Sequence, residues 1–167
     1  PIETNAEART NYLAERCDVY TTDASGLAAT RAALDKPGDH VVLPEIVSKE
    51  PLGPLVRHGD DQWADIARWT LNAMVAAEEM GITSKNAKAM AKGTKNPEIN
   101  RLLGKEKLQG REALGLSADW ALNVISQVGN YGEVFEANLG PKTALGLQRG
   151  NNAQWKNGGL LYAPPFR

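Results

Sequence analysis

Between Val19 and Leu34 the chain changes its structural period once and sharply: VYTT is β-prone, whereas ASGLAATRAAL is rich in Ala and Leu. β-Branched and aromatic residues suit a pleated, half-buried backbone, while Ala and Leu lose little on entering a helix. The juxtaposition predicts a strand over residues 19–22 running into a helix over residues 25–34, with Asp23 at the strand's carboxyl end. Strand-then-helix is the repeating unit of α/β proteins, and α/β is the fold class expected. In open sheets of that class ligands lie beyond the carboxyl ends of the strands, where helix amino termini converge. Asp23 therefore has two readings: a helix cap accepting from the first free backbone N–H groups, which is the commoner use, or a carboxylate aimed at a ligand.

The rest of the chain is punctuated by similar local signals. Thr4 and Glu7 have capping-box spacing, predicting a first helix to about Arg16. Lys36-Pro37-Gly38-Asp39 marks a turn, after which HVVLPEI reads as a second strand that Pro44 limits to an edge or a crossing segment. Pro51, Gly53 and Pro54 make the next stretch an extended connector, up to a short strand at Leu55-Val56-Arg57. Asp60 or Asp61 then caps the clearest helix, running to about Met80. Its residues Trp63, Ile66, Ala67, Leu71, Met74 and Val75 recur at spacings of three and four and form a core stripe.

Beyond Gly81 the chain reads as short helices. Asn96-Pro97 places a cap before proline, Ser117 precedes DWALNVISQV, and Asn130 with Glu133 repeats the capping box, so residues 117–139 are expected to be helical. Gly140-Pro141 stops that run, and the apolar end GGLLYAPPFR is expected to pack on the body of the protein.

Composition narrows the function. Nineteen basic and twenty acidic residues give a net charge of -1 with no run of like charges, which leaves no electrostatic case for nucleic acid or an anionic membrane. No apolar run approaches the roughly 18 residues that a bilayer span needs. The opening PIETNAEART has neither a basic nor an apolar leader region, so no signal peptide or anchor is expected within the sequence as it stands. Cys17, the one cysteine, excludes an internal disulfide and is expected to be a small buried residue beside its strand. With only His40 and His58 beside it, no zinc cluster and no metal site are proposed. No Gly-rich phosphate loop or nucleophile elbow occurs, and no catalytic residue or cofactor is expected.

Four phrases carry a resemblance: AERCDVYTTDASGLAATR, DHVVLPEIVSKEPLGPLVRHGDDQW, QVGNYGEVFEANLG and GLLYAPPFR. Together they resemble the amino-acid-binding proteins of bacterial ABC uptake transporters, in the general L-amino-acid branch of the polar-amino-acid class. The resemblance implies part of a two-lobed α/β fold of the type II periplasmic-binding-protein kind, with a helical carboxyl-terminal region. It implies residues 1–42 as the last part of lobe 2, 43–54 as the hinge crossing, and 55–167 as the closing part of lobe 1. It also implies a periplasmic location, an L-amino-acid ligand and ABC permease subunits as partners.

In that family an aspartate at the end of a lobe-2 strand pairs with the ligand's α-ammonium group, and Asp23 in YTTD matches its position. With the resemblance counted, ligand contact becomes the favoured reading of Asp23, with Thr22 as a weaker neighbour. The family's clamp for the ligand carboxylate has no counterpart in this sequence, and none of Arg9, Arg16, Arg31 or Arg57 takes that role by motif. A missing amino-terminal half, or a second copy of the chain, is accordingly an expected partner. One departure is LLGKEKLQGREALGL at residues 102–116, more basic than the acidic linker expected there. A dehydratase-like enzyme on the same fold and an inactive structural fragment stand as the alternatives.

Overall fold

The computed structural model describes residues 2–49, 51–106 and 111–166. Seven α-helices are found among them: α1 Asn5–Leu13, α2 Ala24–Ala32, α3 Asp61–Glu79, α4 Ala87–Gly93, α5 Pro97–Leu102, α6 Trp120–Val128 and α7 Tyr131–Asn138. Short 3-10 turns occur at Pro37–Asp39, Arg111–Leu114, Gly150–Asn152 and Trp155–Asn157. The chain divides into two compact units, Pro1–Pro51 and Leu52–Arg167.

In the first unit, Thr4 caps α1 by accepting from the Glu7 N–H at 3.1 Å, while the Glu7 carboxylate reaches back to the N–H of Glu3 rather than of Thr4. The helix stops at Leu13, short of Arg16. Glu15 turns left-handed at φ 56 and the Arg16 N–H bonds the Asn11 carbonyl, closing the last turn without a glycine to announce it. Burial here is slight, with Ala28 on α2 the one buried apolar residue among those described in this unit. Polar and aromatic contacts supplement it: the Tyr12 hydroxyl and His40 Nδ1 share a hydrogen bond of 2.8 Å, and the Tyr12 ring lies 6.2 Å from that of Tyr20.

The second unit holds the main core. α3 packs against α6 and α7, and α4 against α5 and α6. Ala73, Ala76 and Ala77 of α3 meet Ile82, Leu102, Trp120 and Ile125 with almost no exposed surface; small residues on the contact face allow the helices a close approach. Several helix ends have a local cause. Asn96 accepts from Glu98 N–H ahead of Pro97, and Asn130 and Glu133 form a complete capping box. Gly104 closes α5 at φ +85, where a Cβ would also overlap the carbonyl of Ala118. The chain end packs only in part: Phe166 is buried, edge-on to Trp69 at 5.2 Å, and its carbonyl accepts from Arg101 Nε, whereas Leu160 and Tyr162 are exposed.

Several expectations are corrected. Residues 19–22, 40–43 and 55–57 are not strands; among the described residues the chain is helix-rich, and its β pairing is one isolated bridge between Gln154 and Leu161. A strand exists only as one side of a hydrogen-bonded ladder, so extended backbone at His40 (φ -120, ψ 138) does not become one without a partner. The α/β expectation is thus not met within the described residues themselves. Cys17 is exposed, because the strand that was to bury it is not formed. The α3 stripe is buried only toward its carboxyl end, with Trp63 and Leu71 55% and 38% exposed. α6 begins at Trp120 rather than Ser117, whose hydroxyl bonds the Asp119 carboxylate at 2.7 Å. The basic stretch 102–116 falls partly outside the described residues, at 107–110.

Candidate functional site

Asp23 is the residue from which α2 starts. Its backbone is extended (φ -60, ψ 150) and its carboxylate faces the first turn of the helix. Oδ2 accepts from the Ser25 hydroxyl at 2.9 Å and the Gly26 N–H at 3.2 Å, and Oδ1 accepts from the Thr22 hydroxyl at 3.1 Å. The cap reading of Asp23 is therefore realised in the structure. It does not exhaust the group. A carboxylate offers about four lone-pair directions, three are used, and the remaining one is on Oδ1.

The hydrogen bonds from Ser25, and then those from Thr22 and the backbone, hold the Asp23 carboxyl below the usual aspartate value, so it is ionised at neutral pH. Gly26 keeps the neighbouring space open, since an added Cβ would sit 3.3 Å from each carboxylate oxygen. Thr22 is exposed, and its hydroxyl proton is committed to Asp23. It orients the carboxylate and has only acceptor capacity left for anything else.

Asp23 and Thr22 open onto a cleft of about 300 Å³ within the first unit, shared with Asn5, Ala6, Arg9, Tyr20, Gly26 and Thr30. Asn5 and Arg9 stand one turn apart on α1, and that i, i+4 spacing is the sequence signal that sequence reasoning passed over. A second, more open depression follows residues 57–62 at the start of α3, where Asp60 caps the helix through the Trp63 N–H at 3.1 Å. Its lining is six consecutive residues of one bend, and it brings no distant groups together. Among the described residues no cluster of His, Cys, Asp and Glu is arranged to hold a metal, and no helix is long and apolar enough to cross a membrane.

No family model matches the chain. It is 58% identical, over 99% of its length, to the glutamate/glutamine/aspartate/asparagine-binding protein BztA of Rhodobacter capsulatus, of which it covers 49%. It is 54% identical over 99% of its length to the general L-amino acid-binding periplasmic protein AapJ of Rhizobium johnstonii, again covering 49%. The chain is a homologue of ABC-transporter amino-acid-binding proteins. It spans about half the length of these curated relatives and corresponds to their carboxyl-terminal half. A solved periplasmic binding protein from Brucella ovis, with glutathione bound, is 52% identical with a TM-score of 0.90 over 99% of this chain and 51% of that one. The helix-rich chain is thus similar to a portion of a periplasmic-binding-protein fold.

Proposed function

We propose that the chain is part of the substrate-binding component of an ABC transporter for L-amino-acid uptake, acting in the periplasm. The observation that carries this reading is the 58% identity, sustained over 99% of the chain, to a protein named for binding glutamate, glutamine, aspartate and asparagine. On this reading residues 1–42 complete one lobe, 43–54 cross the hinge, and 55–167 complete the other. The division into compact units at Pro51 and Leu52, within an exposed extended run, supports it.

Asp23 holds the ligand's α-ammonium group through the free direction on Oδ1, and Thr22 fixes the carboxylate for that task. The chemistry is reversible recognition rather than catalysis: the groups bonded to Asp23 are hydroxyls and a backbone N–H, none of them a tuned acid–base partner. The carboxylate of the ligand is met by the other half of the receptor or by a second copy, and the closed form is presented to permease subunits.

Calorimetry with mixed L-amino acids on the protein at its native length tests the reading. Asp23→Ala is expected to weaken binding at least about tenfold, as loss of a charge-assisted bond does. Affinity kept within a factor of two, with only the melting temperature lowered, means that Asp23 is a cap and nothing more.

A further inference from the structure

Of the three arginines in the first unit, two are committed to the fold. Arg16 Nη1 bonds the Asn11 side chain at 3.0 Å and Arg31 Nε bonds the Pro37 carbonyl at 3.2 Å. Arg9 differs. It is exposed, lines the cleft that contains Asp23, and takes part in no ion pair among the described residues. The cleft thus carries two opposite charges that do not neutralise each other directly.

Its remaining lining decides what can enter. Asn5, Tyr20 and Thr30 bear side-chain donors, Thr22 keeps acceptor capacity alone, and only Ala6 and Gly26 bear no polar group. An apolar ligand side chain placed there gains little apolar contact and strips water from donors that it cannot satisfy. A side chain rich in acceptors satisfies them instead. Arg9 adds a donor-only group of fixed positive charge with a forked geometry suited to a carboxylate.

We propose that Arg9 is a specificity-determining residue that receives the side-chain carboxylate of an acidic amino acid whose ammonium group is held by Asp23. The proposal rests on the reading of Asp23 given above and extends it from amino acids in general to acidic ones. Gripping the α-carboxylate raises affinity for every amino acid alike. Gripping a side-chain carboxylate separates one class from another.

The test is calorimetry of glutamate and of leucine on the protein at its native length and on three variants. Arg9→Met is expected to weaken glutamate about tenfold or more while leucine stays within a factor of two, and Arg9→Lys to retain part of the glutamate preference. Because Arg9 is exposed, its replacement leaves the fold in place, and matched melting curves confirm that. Parallel weakening of both ligands by Arg9→Met overturns the proposal, since the guanidinium then holds the shared α-carboxylate. Unchanged glutamate affinity overturns it as well. Asp23→Asn separately weakens both ligands if the underlying reading holds. A variant at Asp23 that alters neither, beside an Arg9 variant that loses glutamate alone, removes the Asp23 reading and leaves the acidic subsite standing. A wild-type protein that binds neither ligand removes both.

Discussion

Arg149 and Glu78 meet fork to fork, Nη1 to Oε1 at 2.9 Å and Nη2 to Oε2 at 3.0 Å, joining the carboxyl end of α3 to the loop beyond α7. Both side chains are less than one-fifth exposed. The same guanidinium donates to the Asn152 carbonyl and lies over the Tyr131 and Phe135 rings, 5.4 and 5.2 Å from their centroids. Removing one partner of such a pair leaves the other charge desolvated and alone. Arg149→Met is expected to cost the second unit about 3 kcal/mol, read as a lower urea midpoint. Arg149→Lys is expected to recover little, because a point charge cannot reproduce the fork.

Glu133 sets an acid limit on the same unit. Burial works to raise its pKa, but the N–H of Asn130 and the hydroxyl and N–H of Ser84 outweigh burial and hold it below its ordinary value of 4.5. A carboxyl lowered in the folded state contributes stability above its unfolded pKa and loses that contribution as pH falls through the folded one. Urea midpoints are therefore expected to fall from about pH 5 downward, and Glu133→Gln to flatten part of that fall. An acid slope identical in both proteins counts against this account.

Phe166 anchors the chain end in the main core beside Trp69. Phe166→Ala leaves a cavity and is expected to cost about 3 to 4 kcal/mol. Trp69 fluorescence and susceptibility of residues 158–166 to proteolysis report the loss. Wild-type protection of that segment in the variant is the contrary result.

Val41, Leu43, Ile46 and Val47 are exposed, Val47 to 90%, on a backbone that makes no ladder among the described residues. Extended apolar segments with free N–H and C=O groups recruit other chains. The chain by itself is expected to self-associate in light scattering, and Val41→Lys with Val47→Lys to reduce that association.

What the sequence determined by itself is most of the helix caps, contacts that close within four residues. The caps at Thr4, Asp23, Asp60, Asn96 and Asn130 were legible because a short polar side chain needs only the next turn of its own helix. The position of Asp23 at the head of α2 was legible for the same reason. The end of α1 was not, since a left-handed Glu15 carries no glycine signature. The tertiary structure alone decided everything that joins distant positions: the Arg149–Glu78 pair, the seat of Phe166, the exposure of Cys17 and Trp63, and the placing of Arg9 and Asp23 on one cleft. The strands expected at residues 19–22, 40–43 and 55–57 belong to that second class. β-Propensity states what a residue tolerates in a sheet, but a strand forms only when a remote segment supplies the other side of its ladder.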